Sequence, residues 1–148
     1  MPDASAHLGA IHGLDLTGAR KVFDAHRVEV AWLFGSWVTG AVRPGSDVDV
    51  AVLLPDDAGW LAGEAVASDL RARLGVDVDV VDLRTARLEL QATVVQSGRL
   101  LHSTDERRRV RFTTEVRSRW FDFAPFQRRL TAAYLAGVAD RGFARGRS

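Results

Sequence analysis

Two segments in which aspartate alternates with valine constrain the fold of this chain most strongly. They span residues 46–54 and 76–83, and their paired acids are Asp47 and Asp49 in the first and Asp77 and Asp79 in the second. Because successive side chains of a β-strand point to opposite faces, each segment is predicted to be a strand that buries valines and presents two carboxylates.

If the two strands are neighbours, these carboxylates converge on one patch and repel one another unless a cation neutralises them. The chain has no cysteine, so a metal is expected on oxygen ligands. Few hard oxygen ligands suit Mg²⁺ that completes its shell with substrate phosphates, and two such ions about 4 Å apart support phosphoryl chemistry. The alternative is a half-covered sheet with ordinary polar residues on its exposed face, which produces the same pattern.

A glycine–serine pair, Gly35-Ser36, stands between a predicted strand at Val28–Phe34 and the first aspartate segment. Glycine lets backbone amides approach phosphate oxygens, and the serine hydroxyl adds a donor. If Trp37 to Gly40 begins a helical turn, its free amides also face the anion. A Gly-Ser pair alone is a common turn, so it indicates a phosphate site only through its spacing to the aspartates.

The remaining pattern predicts one α/β (α+β) domain, since 148 residues suffice for a single core and predicted strands alternate with predicted helices. The further predicted elements are helices at 16–27, 60–74 and 85–96 and a short strand at 99–102. Asp82 is predicted to end its strand or cap a helix rather than to bind metal.

The chain divides into a core, residues 1–103, and a helical extension, residues 104–148, expected to pack on the same domain and to bind a partner. The core has 14 acids and 9 bases, whereas the extension has 5 acids and 11 bases. A basic surface serves nucleic acid, nucleotide phosphates or an acidic protein, or is simply a solvated helix face. Arg108 and Arg111 are expected to be exposed on this extension and to take part in docking the partner.

Within the extension, a helix from Thr104 to about Arg119 is predicted to break at 122–125 and to restart at Pro125. Tyr134 is assigned to packing in the last helix. The aromatic cluster is expected in the core, with some members exposed for a partner; its members are Trp120, Phe121, Phe123 and Phe126. No apolar run approaches the length needed to cross a bilayer, and no leader pattern opens the chain, so we expect a soluble, cytoplasmic protein.

The spacing Gly35-Ser36, ten residues, Asp47-Val48-Asp49 resembles the signature of minimal nucleotidyltransferases (MNT) of the DNA-polymerase-beta-like superfamily. The similarity continues through Leu33-Phe34, Gly40, Pro44, Ser46, Val78-Asp79-Val80-Val81, Gly98-Arg99-Leu100-Leu101, Phe121-Asp122-Phe123 and Pro125. This longer form resembles the antitoxin of HEPN/MNT toxin–antitoxin pairs.

The resemblance implies a small mixed β-sheet with flanking helices and a site for ATP and Mg²⁺. In it, the Gly35-Ser36 turn holds the β and γ phosphates, Asp47 and Asp49 bind the metal, and Asp79 ligates metal and orients or deprotonates the attacking hydroxyl. Nucleotide contacts are also assigned to Arg43 and Ser46. Trp37 departs from the family, which often has arginine or tyrosine there, and Arg43 is the substitute cation.

The implied reaction is transfer of AMP from ATP to a tyrosine hydroxyl of a cognate HEPN ribonuclease toxin, which silences the toxin. The partner is thus a protein in a hetero-oligomer, with no membrane and no direct nucleic-acid contact. Two alternatives stay open: a nucleotidyltransferase acting on a small molecule or an RNA end, and a non-catalytic antitoxin that neutralises by binding.

Overall fold

The computed structural model of the chain describes residues 10–11, 14–43 and 45–145. The strands are β1 (Ala10–Ile11), β2 (Leu14–Asp15), β3 (Val30–Phe34), β4 (Val48–Leu53), β5 (Val78–Asp82) and β6 (Arg99–Ser103). The helices are α1 (Ala19–Ala25), α2 (Ser36–Thr39), α3 (Ala62–Leu74), α4 (Leu88–Ser97) and α5 (Glu106–Arg145). Pro44, part of the family pattern, lies outside the described residues.

A four-stranded mixed sheet with the order β5-β4-β3-β6 forms the centre of the domain. Strand β3 pairs antiparallel with β4 and with β6, whereas β4 and β5 are parallel neighbours. The two aspartate-bearing strands are therefore adjacent, as their pattern requires for a shared site. The mixed sheet with flanking helices confirms the predicted fold class. A short hairpin of β1 and β2, which the sequence pattern did not predict, precedes α1.

Helices cover both faces of this sheet, so the domain has three layers. On one face, α1 and α3 bury side chains such as Phe23 and Leu70 against the valines of β4. On the other face, Val94 of α4 and Phe112 of α5 pack with Trp32 and its neighbours. Alternation along β4 sends Val48, Val50 and Val52 to the first face and Asp49, Ala51 and Leu53 to the second. Asp49 thus belongs to the α4 side of the sheet.

The extension is one helix of 40 residues, and the predicted break at Asp122–Pro125 is wrong. Proline removes one helical hydrogen bond, that of the Phe121 carbonyl, and costs about 3 kcal/mol in a helix interior. Pro125 is exposed, so water can satisfy the released carbonyl, and the helix continues.

Only the first half of α5 packs on the domain. Val116 is fully buried and Ala124 is the last buried residue up to Arg141, where the description of side chains ends. The assignment of Tyr134 to packing is wrong, because 66% of its surface is exposed. In the aromatic cluster, Trp120 is half-buried and Phe121, Phe123 and Phe126 are exposed. The described part of the chain contains no helix that is both long and apolar enough to span a membrane.

Candidate active site

The carboxylates of Asp49 and Asp79 stand on adjacent parallel strands at the same level of the sheet. The two residues are register partners between β4 and β5, and Asp49 is also paired with Phe34, the last residue of β3. Adjacent strands lie about 4.8 Å apart, so the two side chains are neighbours on one face. Asp49 is half-buried, whereas Asp79 is exposed. The pair therefore has one side open to solvent and to a substrate.

The glycine of the Gly-Ser turn lies directly against the Asp49 carboxylate. Gly35 has a φ of +77°, and a Cβ built on it would lie 2.5 Å from Oδ2 of Asp49. A side chain is strained at this position because of the backbone conformation, and its Cβ would displace the Asp49 carboxylate. Helix α2 begins directly after it, so the amides of Ser36 and Trp37 lie in the first turn, where helical amides have no intrahelical partner. The predicted phosphate turn and the carboxylates thus meet at one point.

Within this cluster, the pKa of Asp49 is shifted by burial and by the charges of its neighbours. Burial raises the pKa of its carboxyl, and the negative charges of Asp79 and Asp47 raise the pKa further. Asp47 is exposed and lies one residue before β4, close enough to act on Asp49. Such crowding is unfavourable in the absence of a cation and favours binding of one.

The donor set at this point consists of carboxylate oxygens, which is the chemistry that Mg²⁺ prefers. Across residues 10–11, 14–43 and 45–145, however, no group of three or more His, Cys, Asp or Glu side chains is arranged so that it could hold a metal ion by itself. Phosphate oxygens of a nucleotide supply further ligands in magnesium sites of this type. The residues therefore fit an ion that binds together with its nucleotide rather than in a closed protein cage.

An open cleft of about 670 Å³ lies between the loop before β4 and the end of α3, and Asp47, Asp49 and Asp79 are not among the residues that line it. Trp37, Arg43, Ser46, Arg71 and Asp77 contribute to its walls. The Ser46 hydroxyl accepts a hydrogen bond of 2.8 Å from the Arg43 amide, which fixes the loop. The structure thus brings the two predicted nucleotide contacts together at this cleft, next to Asp47.

Arg71 is a charged residue of this cleft that the sequence pattern does not predict. Its Nε donates a 3.0 Å hydrogen bond to the carbonyl of Val78, and its Nη1 is 3.1 Å from Glu64 Oε1. The side chain therefore ties α3 to β5 while lining the cleft. Arg71 lies on a different element from the Gly-Ser and aspartate motifs, so no local pattern could have marked it.

The other two aspartates of β5 and its approach lie apart from the carboxylate pair. Asp77 precedes the strand and is not among the charges that raise the pKa of Asp49. Asp82 lies at the opposite end of β5 and forms an ion pair of 2.7 Å with Arg84, whose guanidinium also donates to the carbonyls of Pro55 and Ala58. The expectation that Asp82 ends the strand rather than serving as a metal ligand agrees with this position.

Comparison with known proteins identifies the family of the chain. The family model described as "Polymerase beta, Nucleotidyltransferase" matches residues 19–107, a range that contains every predicted site residue. A protein adenylyltransferase, MntA, of Shewanella oneidensis is 38% identical over 80 residues, which are 54% of this chain and 58% of that protein. The match thus spans little more than half the length of this relative.

Solved structures extend the likeness along most of the chain. The crystal structure of a toxin–antitoxin with AMP-PNP superposes with a TM-score of 0.72 at 27% identity, covering 82% of this chain and 99% of that one. A tri-AMPylated Shewanella oneidensis HEPN toxin in complex with its MNT antitoxin gives a TM-score of 0.63 at 26% identity, covering 78% and 92%.

Proposed function

The chain belongs to the polymerase beta nucleotidyltransferase family, and we propose that it transfers AMP from ATP to a tyrosine hydroxyl of a HEPN-type ribonuclease toxin. The modification silences the toxin, so the protein acts as its antitoxin. The attacking oxygen forms a bond to the α phosphorus, the bond from that phosphorus to the β-phosphate oxygen breaks, and pyrophosphate leaves. The hydroxyl proton passes to a carboxylate or to water.

The contact between Gly35 and Asp49 carries this proposal. It sets a turn suited to phosphate directly against a carboxylate whose pKa is raised by burial and by Asp79 and Asp47. A phosphate chain held at the turn therefore has its reacting end beside the carboxylate pair. Half-buried glycine turns and paired aspartates occur separately in many proteins, whereas this juxtaposition is what nucleotidyl transfer needs.

Each predicted residue has a role in this scheme. The Gly35-Ser36 turn binds the β and γ phosphates through its amides and the serine hydroxyl. Asp47 and Asp49 hold Mg²⁺, and Asp79 shares in holding it and orients or deprotonates the acceptor hydroxyl. When bound, the ion neutralises the developing charge on the phosphates and lowers the pKa of an attacking oxygen.

Arg43 and Ser46 contact the nucleotide from the neighbouring cleft. Arg43 is exposed on the loop before Asp47 and forms no ion pair among the described residues, so its guanidinium is available to a phosphate. This arginine compensates for Trp37, which occupies the position after Ser36 and lines the same cleft.

The outer face of α5 next to the core docks the partner protein. Arg107 and Arg111 are exposed there and border a shallow cavity of about 480 Å³. Arg108 does not belong to this face: its Nε lies 3.0 Å from Glu29 and its Nη2 lies 2.7 Å from Asp56, and its side chain is only 22% exposed. The earlier assignment of Arg108 as an exposed docking residue is therefore wrong, because it anchors α5 to the core.

The acceptor is identified by mass spectrometry of a purified HEPN-type toxin after incubation with this protein, ATP and Mg²⁺. We expect the mass of one or more AMP groups on a tyrosine, and loss of the adduct when that tyrosine is changed to phenylalanine. An unmodified toxin that is nevertheless inhibited would support neutralisation by binding alone. Absence of both modification and inhibition would favour a small-molecule or RNA acceptor.

A further inference from the structure

The distal half of α5, beyond the last buried residue Ala124, exposes a row of large apolar side chains. Phe126, Leu130 and Tyr134 follow one another at intervals of four residues and are 51%, 54% and 66% exposed. Helical residues four apart form a ridge along the helix surface. Exposed apolar rows of this kind mark interaction sites.

A row of small side chains lies directly beside this ridge. Ala133 and Gly137 are also four residues apart, and each is three residues from a member of the ridge, so together they line a groove. Gly137 has no reason within its own chain to be glycine, because an added Cβ would meet nothing within 4 Å. Glycine in a helix interior is less stable than alanine, so the missing side chain points to a close neighbour from outside.

Charged residues stand at the two ends of the same face. Asp122 precedes Phe126 on the ridge row, and Arg129 and Arg141 bracket the groove row. None of the three forms an ion pair within the part of the chain that the structure describes; Arg141 Nε donates only to the Gly137 carbonyl, at 3.2 Å. Their opposite charges are therefore available to a second molecule.

We propose that a second copy of this chain covers this face, with the two α5 helices antiparallel about a twofold axis between Thr131 and Ala132. A single register then satisfies every feature of the face. It places Leu130 opposite Ala133, Phe126 opposite Gly137, Asp122 opposite Arg141, and Tyr134 opposite Arg129 of the other copy.

In this register each contact occurs twice, once from each copy, as a twofold interface requires. Large side chains of one helix enter the groove of the other, which is the ridge-into-groove packing of helix pairs. The ends add two ion pairs and two cation–π contacts of arginine on tyrosine. Binding of an unrelated protein would not require the residues before Thr131 to complement the residues after Ala132 in size and charge. None of these residues lies in the candidate active site, so the dimer and the proposed transfer reaction stand or fall separately.

Sedimentation equilibrium of the full chain tests the register through a charge swap. Asp122→Arg and Arg141→Asp each place like charges together twice, so each is expected to weaken the dimer about tenfold or more. The double variant, D122R with R141D, restores opposite charges and is expected to return the dimer Kd to within about threefold of wild type. Arg128→Asp, on the other side of the helix, is the matched control and is expected to have no effect.

Gly137→Leu separates pairing from helix stability. Leucine favours the helix more than glycine does, so circular dichroism is expected to show equal or greater helicity while the dimer is lost. A wild-type chain that stays monomeric up to about 100 μM would overturn the proposal. So would a dimer that is indifferent to Gly137→Leu, or one that the charge swap fails to restore.

Discussion

Replacement of Asp49 by asparagine separates the chemical role of this carboxylate from its effect on stability. Burial and the charges of Asp79 and Asp47 raise the pKa of Asp49, so its ionised form is unfavourable in the metal-free fold. Asparagine keeps the shape and removes that charge. We expect transfer of AMP to fall by about a hundredfold or more, as is usual when a metal ligand or general base is lost.

The stability gain follows from the spacing of the strands. Two unit charges about 5 Å apart repel by about 1 kcal/mol in a medium close to water, which is the appropriate limit because Asp79 is exposed. A gain of that size raises the Tm of a chain of this length by about 2 to 4 °C. The metal-free Asp49→Asn protein is therefore expected to melt at the same temperature as wild type or a few degrees higher.

The gain in Tm of Asp49→Asn over wild type is also expected to depend on pH. A carboxyl whose folded pKa lies above its unfolded pKa favours folding at low pH, and this contribution is lost as pH rises through the folded value. The Tm difference between Asp49→Asn and wild type should vanish below the ordinary value of 3.8 and reach its maximum at neutral pH. Differential scanning calorimetry in EDTA at several pH values measures this Tm difference. Retained transfer, or a Tm several degrees below wild type at pH 7, would refute the reasoning.

Three further predictions test the rest of the site and the docking face. Asp79→Asn is expected to lower the transfer rate about a hundredfold or more, whereas Asp77→Asn, outside the carboxylate pair, should change it little; the reverse order would show that the wrong aspartate was chosen. Gly35→Ala should lower both Tm and transfer, since its Cβ would lie 2.5 Å from Asp49. Gly40→Ala, at a second glycine of positive φ that has no atom within 4 Å of the added Cβ, is expected to lower Tm less and to spare transfer, so an equal loss of transfer in both variants would dismiss the contact. Arg107→Glu with Arg111→Glu should slow modification of the partner, most visibly at low salt, and leave ATP binding by calorimetry unchanged. Weakened ATP binding with normal partner association would instead place this face over the nucleotide.

The alternating pattern of aspartate and valine was sufficient to predict the strands of the site and their shared face. It predicted that Asp49 and Asp79 lie side by side if their strands are neighbours, and the parallel register of β4 and β5 confirms this. The boundaries were less accurate, because Asp47 and Asp77 precede their strands. The alternation of side chains could not show where the backbone hydrogen bonds of each strand begin, because this depends on the partner strand.

The extension was the least predictable part of the chain. Pro125 indicates a helix start in isolation, yet α5 passes through it, because the packing of Phe112 and Val116 holds the first half and Pro125 faces solvent. The apolar spacing that placed Tyr134 in a core was correct as a helical period. The apolar spacing could not show whether other elements of the domain lie beside Tyr134, because this depends on where α5 extends beyond the sheet. Arg108 was misassigned for the same reason, as its partners Glu29 and Asp56 are far away in sequence.

Labelling with ATP that carries radioactive phosphorus at either the α or the γ position tests the proposed AMP transfer most directly. The protein is incubated with Mg²⁺ and a purified HEPN-type toxin, and the toxin is then separated by gel. Transfer of AMP with loss of pyrophosphate predicts that the α label appears on the toxin, that the γ label does not, and that Asp49→Asn lowers the rate of α labelling about a hundredfold or more. Labelling from the γ position, or α labelling by Asp49→Asn at a rate close to that of wild type, would contradict the assignment.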